Sequence, residues 1–316
     1  MDLTPDDEQI AFQTATADWC RDHMPFEQAR VRPADLWGQL EAMGLSRITA
    51  PETNGGLALD HATEALVFAE LGRFLAPIGL LSSAVANRWF DEPFGAKVAL
   101  ALTSDEPGPL RVLDPPGSVA VLMSRPRSIR IFDLPDSFND RVSGQHHVTE
   151  HRATIDPSTL QSQQDWTTRA VSSEDAAAPL HLQLLAAAYA VGCADAARDM
   201  AADYAKLRQQ FDRPIGWFQA LKHICSDMAV RAAVARSQLY YAACTLDAKS
   251  ADAAFHVAAA KRLADQAALD NGRANIQVHG GIGMTDEATP HFCLKRAHLL
   301  QFIAPATDDV MLEDAA

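Results

Sequence analysis

The clearest hydrophobic pattern lies between residues 218 and 248, where Leu221, Ile224, Cys225, Met228, Ala232, Ala235 and Leu239 recur at i, i+3, i+4, i+7 spacing. That period draws one apolar stripe along a long helix. Alanine-rich stretches at 176–207, 251–273 and 288–303 share the texture, and four such helices can lie side by side as a bundle. Gly192 and the many alanines permit close helix approach. At the other end of the chain, Thr4-Pro5-Asp6-Asp7 offers an N-cap hydroxyl, a proline at the first helical position and two acids at the positive helix end, before an amphipathic stretch to about Met24. A second helix is expected from about Pro33 to Met43. A third follows Asn54-Gly55-Gly56, capped by Asp60, then loosened and ended by Gly72 and Pro77.

Between these helical regions run the short β-prone segments KVALALT, SVAVLM, SIRIFDL and HHVTEHRATI, separated by Pro, Gly, Asp and Ser clusters. The chain therefore reads as mostly α with a small β domain. Residues 1–95 form an N-terminal helical domain, 96–173 a shortened central β domain and 174–316 a C-terminal four-helix bundle.

The composition narrows the function classes. In 316 residues, 48% are hydrophobic and 22% charged, a globular balance that supports a substantial core. Forty-one Asp plus Glu against 27 Lys plus Arg give a net charge of −14, which argues against a nucleic-acid protein or an anionic-membrane binder. Any anionic ligand must meet a local basic spot. The cysteines Cys20, Cys193, Cys225, Cys244 and Cys293 are scattered and never form CxxC, so neither a disulfide framework nor a zinc site is indicated. The acidic N-terminus has no basic or apolar leader pattern. The longest apolar run, Leu184 to Ala194, is about half of the roughly 20 residues that cross a bilayer. A cytoplasmic protein is expected.

The chemistry concentrates in two stretches. In Tyr204–His223 a long helix is expected to end near Gln210, with a Pro-Ile-Gly corner and a new helix from about Trp217. From Asp203 to Arg236 six Lys or Arg outnumber three Asp, reversing the sign of the whole chain. Arg208 suits a diphosphate, Phe211 a flat ring and Gln219 a polar edge. The alternative is structural: Arg208 complements the helix dipole and Phe211 belongs to the core. In Asn275–Ala297, Gly280-Gly281-x-Gly283 lets the backbone approach a ligand with free N–H groups, or simply reverses the chain. It matches neither GxGxxG after a strand nor GxxxxGK[ST].

Together, RQQFDRPIGWFQALKHICSDM and QVHGGIGMTDE resemble the paired C-terminal signatures of acyl-CoA dehydrogenases, and APETNGGLALDHATEALVFAELGR resembles their N-terminal helical signature. The order and spacing agree across nearly the whole chain. The resemblance implies two helical domains around a β domain, with FAD at a subunit interface. One subunit holds the isoalloxazine and its neighbour supplies the adenosine and diphosphate contacts. By match to the motifs, Arg208, Gln210, Phe211, Phe218 and Gln219 correspond to contacts made across the interface, and Gln277, Gly280 and Gly281 to the loop at the other FAD phosphate region.

The family's reaction also implies a glutamate that removes an acyl-CoA α proton. Aligned without gaps from Gly280, that site falls on Ala304; the alternative site of some subfamilies falls near Leu182. Neither residue takes a proton. Glu287 and Glu313 stand elsewhere, while Asp308 and Asp309 lie about one helical turn beyond Ala304 as shorter candidates. Gln183 occupies the place of an arginine that holds the CoA ester, and Thr103 and Ser104 are weak remnants of a flavin-side strand motif. His146, His147 and His151 lack a partner Cys/Asp pattern and are expected to be surface polar residues. His291 and His298 are expected to be packing or surface residues, and Ser226 and Ser237 have no nucleophile-like arrangement.

The resemblance thus implies a chain carrying no catalytic residue of its own. It would supply the adenosine-diphosphate half of an FAD site to a second acyl-CoA dehydrogenase subunit bearing the glutamate, as in the α2β2 enzymes of sterol-degrading actinobacteria. The acyl-CoA would be bound mainly by the partner, and by analogy its acyl group would be steroid-derived. Two alternatives stand beside this: a self-sufficient homo-oligomeric enzyme using Asp308 or Asp309, and a non-catalytic scaffold of the same fold.

Overall fold

The computed structural model describes residues 3–90, 96–102, 110–125, 128–134, 145–147, 150–155, 168–169 and 177–306. Its helices are α1 (Asp7–His23), α2 (Leu36–Ala42), α3 (His61–Arg73), α4 (Gly79–Trp89), α5 (Ala177–Leu207), α6 (Gln219–Asp247), α7 (Ala253–His279) and α8 (Pro290–Leu300). The strands are β1 (Lys97–Leu102), β2 (Leu110–Leu113), β3 (Ser118–Arg125), β4 (Ser128–Asp133), β5 (Gln145–His147), β6 (Glu150–Ile155) and β7 (Thr168–Arg169), followed by the short pair β8 (Gln209–Gln210) and β9 (Arg213–Pro214). The fold is mostly helical with one small mixed sheet, as the patterning implies.

Several boundaries differ from expectation for identifiable reasons. Asp6, not Thr4, caps α1: its carboxylate accepts from the Gln9 backbone N–H at 2.8 Å while the Gln9 side chain accepts from the Asp6 N–H at 3.2 Å. This reciprocal box satisfies two orphan donors at once. The α2 helix is shorter than Pro33–Met43, and α4 is a separate helix that the sequence pattern did not resolve. Asp60 does cap the start of α3, accepting from the Thr63 N–H at 2.7 Å. Gly72 does not loosen that helix; it lies within α3, and Leu75 makes the reversal with a left-handed φ of 54°. Likewise α7 runs through Gly272 to His279, because Gly272 sits against Leu294 of α8.

The chain forms two compact units. One comprises residues 31–64 and 76–182. It contains the sheet, in the order β5-β6-β2-β1-β3-β4-β7, with β1 parallel to β3 and its other neighbours antiparallel. Within HHVTEHRATI, β5 and β6 pair antiparallel, and the strands β2 and β7 were not legible in the pattern. Ala99, Ala101, Val112, Val121 and Phe132 form the sheet's apolar core. On β1, Lys97 pairs with Asp114, whose other oxygen accepts from the Gly79 N–H at 3.0 Å, and the Ser82 hydroxyl donates to the Val98 carbonyl at 2.6 Å. These bonds hold α4 against the sheet.

The same unit buries a polar relay. The Trp89 indole donates to His181 Nδ1 at 3.0 Å, His181 Nε2 meets Glu64 Oε2 at 2.5 Å, and Thr49 donates to Glu64 Oε1 at 3.2 Å. An indole N–H is only a donor, so Nδ1 is the acceptor and the ring proton sits on Nε2. Burial, the largest influence, lowers the His181 pKa below the ordinary 6.5 despite the attraction of Glu64.

The other unit comprises residues 1–30, 65–75 and 183–316. Here α3 and α5 touch backbone to backbone. A methyl group on Gly192 would overlap the Ala69 carbonyl oxygen and the Arg73 nitrogen, and one on Gly72 would overlap the Tyr189 backbone. Beside this contact, buried Asp195 accepts from Arg198 at 2.6 Å and from Arg236 of α6, while Arg73 pairs with Asp199. Removing one partner of such a buried group leaves an uncompensated charge. An 18-residue window of α5 has a mean hydropathy of 1.4, enough by length and composition to cross a membrane, yet 89% of it is buried inside the protein. It is a core helix. Toward its end, Ala196, Ala197, Ala201 and Ala205 pack with Ile215, Met228, Val278 and Cys293, which joins the three long helices α5, α6 and α7 and the shorter α8 in one core.

Two outcomes follow from this packing. Gly192→Ala should lower the free energy of unfolding by about 3 kcal/mol or more, since backbone cannot yield as a side chain does; urea denaturation against Gly38→Ala, a position with open space, measures it. The His181 relay makes stability pH-dependent. A folded pKa below 6.5 means that the unfolded chain takes up the proton first, so stability is complete above pH ~6.5 and falls as the pH drops toward the folded value, by up to ~1.4 kcal/mol per pH unit. His181→Gln should remove that part of the slope in denaturation curves between pH 8 and 5.

Candidate functional site

The end of α5 is not a simple corner. The helix stops at Leu207, and the Arg208 N–H closes its last turn on the Tyr204 carbonyl at 2.8 Å. Then β8 and β9 form a hairpin, with Gln210 opposite Arg213 and the Ile215 N–H bonded to the Arg208 carbonyl at 2.8 Å. The expectation of helix to Gln210 is corrected accordingly. The two loop residues, Phe211 (φ 53°) and Asp212 (φ 59°), are both left-handed. That is the backbone a type I′ turn needs, and it is ordinarily supplied by Asn-Gly. For a residue with a Cβ it costs about 1–2 kcal/mol. The Phe211 ring is 81% exposed, so it does not belong to the core as the structural alternative had it. Its support is edge-on contact with Phe218, with centroids 6.0 Å apart.

Phe218 is also the N-cap residue of α6 and provides no side-chain cap, so the positive end of a 29-residue helix opens beside the hairpin. Gln219, the first helical residue, is exposed. Among the described residues Arg208 forms no ion pair, and Arg208, Gln210, Gln219 and Gln277 make no side-chain hydrogen bond. All four are exposed.

Gln277 lies in the last turn of α7. Gly280, with φ 66° and ψ −146°, ends that helix in a conformation open essentially to glycine alone, and the 3-10 turn Gly280–Met284 follows. Gly281 is exposed and has nothing near its α-carbon face. The two stretches singled out in the sequence are connected by a contact that the sequence did not announce: the rings of Tyr204 and His279 stack with centroids 4.1 Å apart, at 25°. His279 Nδ1 lies 2.9 Å from the Asn275 carbonyl, so that nitrogen carries the proton. Half-burial lowers the pKa of His279 and keeps the ring neutral.

This donor set fits a dinucleotide. It offers an unneutralised guanidinium for a diphosphate, free carboxamides for polar edges, an exposed ring for a flat heterocycle and a glycine backbone that admits close approach. The arrangement is an open surface, not a pocket.

The positions implied to be missing a base look different. Leu182 is buried. Ala304 has a left-handed φ of 43°, and the Gln183 amide donates to its carbonyl at 3.0 Å and to that of Pro305 at 3.1 Å. Gln183 and Ala304, at two of the positions the resemblance singles out, are thus bonded to each other. Nearby, buried Lys261 pairs with Asp265 and donates to the Leu300 carbonyl at 3.1 Å, which anchors the end of α8. Burial lowers the Lys261 pKa and raises that of Asp265.

Glu287 is exposed. Thr103, Ser104, Asp308, Asp309 and Glu313 lie outside the described residues. His146 pairs with His151 across β5 and β6 in the backbone register, next to His147 with Glu150. Among the described residues no group of His, Cys, Asp and Glu is placed to hold a metal. His291 is buried, with Nε2 3.5 Å from Arg30, and His298, Ser226 and Ser237 are exposed.

Comparison with known proteins gives a consistent picture. The acyl-CoA dehydrogenase N-terminal domain matches residues 6–92, and the acyl-CoA dehydrogenase C-terminal domain matches residues 180–316. The chain is 31% identical over 313 residues to acyl-CoA dehydrogenase IpdE2 of Mycobacterium tuberculosis, covering 94% of this chain and 92% of that one. Among solved structures, the ChsE4-ChsE5 complex from Mycobacterium tuberculosis gives a TM-score of 0.76 at 19% identity, covering 100% of this chain and 98% of that one. The Tcur3481-Tcur3483 steroid ACAD gives 0.73 at 20%, covering 98% and 99%. At these identities the two structures bear on the fold.

Replacing Phe211-Asp212 by Asn-Gly should raise the free energy of unfolding by about 1 kcal/mol, because the new pair adopts the left-handed backbone without penalty. Denaturation of the two proteins side by side measures it, and an equal or lower value for the variant would show the turn to be unstrained.

Proposed function

The chain belongs to the acyl-CoA dehydrogenase family of FAD-dependent oxidoreductases, and on that premise we propose that it is one subunit of a heteromeric enzyme whose partner carries the catalytic glutamate. The observation that carries this reading is the openness of the nucleotide-facing surface. Arg208, Gln210, Phe211, Gln219, Gln277, Gly280 and Gly281 all face solvent, so a second chain laid over them would complete a nucleotide site from both sides, while Ala304 and Leu182 leave this chain without the base.

In this reading Arg208 binds the FAD diphosphate, with the open end of α6 adding favourable potential. Phe211, braced by Phe218, lies against a flat part of the nucleotide, and Gln210 and Gln219 bind polar edges. The Gln277, Gly280 and Gly281 corner offers an amide and backbone N–H groups to the other phosphate region. FAD, when bound, supplies the hydride acceptor for α,β-desaturation of an acyl-CoA. The chain's own contribution is to bind and orient. With Ala304 and Leu182 at the two positions where the family resemblance puts the base, proton removal falls to the partner, which also binds most of the acyl-CoA.

The presence of a two-component complex and a steroid ACAD among the structural neighbours supports an α2β2 assembly and a steroid-derived thioester. A cytoplasmic location and the sequential division 1–95, 96–173 and 174–316 belong to the same reading.

The test is to purify the chain alone and co-expressed with a dehydrogenase encoded beside it, following flavin absorbance near ~450 nm and acyl-CoA-dependent reduction of an artificial acceptor. Flavin and turnover are expected only in the pair. Arg208→Ala in this chain should weaken flavin retention about tenfold to a hundredfold, the worth of a charge-assisted hydrogen bond, and Gln277→Ala should weaken it less. Turnover by the lone chain would establish a self-sufficient enzyme, and flavin unaffected by both substitutions would establish a scaffold.

A further inference from the structure

We propose that the groove between the end of α5 and the start of α6 is a binding site for a small apolar anion, a flat hydrocarbon body bearing one carboxylate. The groove has a volume of about 330 Å³ and is lined by Ala202, Ala205, Pro214 and Leu221, with Lys206, Lys222, Gly216 and Cys225 completing it. A volume at the small end of the usual ~300–1,000 Å³ limits the occupant to about two fused rings. The groove adjoins the nucleotide-facing surface but is lined by other residues. At about 100° per residue, Leu221 and Cys225 lie a third of a turn or more around α6 from Gln219, while Lys222 lies about 60° from it, between the groove and that surface.

The charge distribution selects an anion. Of the two ammonium groups, Lys206 is neutralised by Asp203 at 2.8 Å. Lys222 forms no ion pair among the described residues. Its Nζ sits 5.8 Å from the ring centre of Trp217, which also carries the Arg213 guanidinium at 5.5 Å. In a chain with a net charge of −14, an uncompensated cation at the mouth of an apolar groove, backed by a second cation on a 63% exposed indole, is a local reversal of sign. A carboxylate there pairs with Lys222 while its hydrocarbon body displaces water from the alanine floor. Cys225, whose thiol is pushed up in pKa by burial and stays neutral, adds no repulsion.

This inference does not depend on the flavin reading, and the full-length chain suffices to test it. Isothermal titration with naphthoate, with neutral naphthamide as the isosteric control, is expected to show one saturable naphthoate site. Naphthamide should bind about fivefold more weakly, as should naphthoate to Lys222→Met, the worth of one partly solvated ion pair. Lys206→Met should stay within about twofold. Ala202→Leu fills the floor and should abolish binding, while the unchanged circular dichroism of each variant confirms folding. The proposal fails if the wild-type chain shows no saturable binding, if naphthamide binds as well as naphthoate, or if Lys222→Met leaves the affinity unchanged.

Discussion

The contact on which the helical unit depends is the meeting of two backbones, where Gly72 of α3 lies against Tyr189 and Gly192 of α5 against Ala69 and Arg73. No side chain intervenes, so there is little freedom to slide or rotate, and the register of a 31-residue helix is set near its middle. The flanking ions enforce the same register: Asp199 of α5 meets Arg73 of α3, and Asp195 of α5 meets Arg236 of α6, only at that offset. Because α5 ends in the hairpin, a constraint several turns away determines where Arg208 and Phe211 emerge. Small residues continue the logic downstream, since Ala196 to Ala205 bring α6, α7 and α8 close enough for Tyr204 to reach His279.

The hairpin shows local preference overruled by use. A loop of two left-handed residues ordinarily selects Asn and Gly, yet here it holds Phe and Asp. A large ring is thus kept in solvent at a left-handed backbone position, braced by its edge-on contact with Phe218. The stacked Tyr204 and His279 tie the hairpin end of α5 to the glycine corner after α7.

Much of this was legible in the sequence, and the failures have physical causes. The long helices were readable from period and alanine content, and the strands β1, β3 and β4 from their β-prone runs. The hairpin was invisible because its turn residues are not those its backbone prefers. Gly72 was misread as a breaker, since a glycine required for close packing and one required for a bend look the same in a single sequence. Asp6 and Thr4 both suit an N-cap, and only Gln9, three residues after Asp6, distinguishes them. For the candidate site, the motif residues were found by resemblance, whereas Tyr204 with His279, and Gln183 with Ala304, are contacts over long sequence separations that no local pattern encodes.

The bond from Gln183 to the carbonyls of Ala304 and Pro305 bears on how this chain could change over time. A carboxylate introduced at residue 304 would have to sit on a left-handed backbone already tied down by an amide, and an arginine introduced at residue 183 would first release that tie. Each of these replacements is disfavoured while the other is lacking, so the two positions constrain each other. If the proposed dependence on a companion subunit holds, such a coupling would act as a ratchet, making refinement of the association easier than a return to independence.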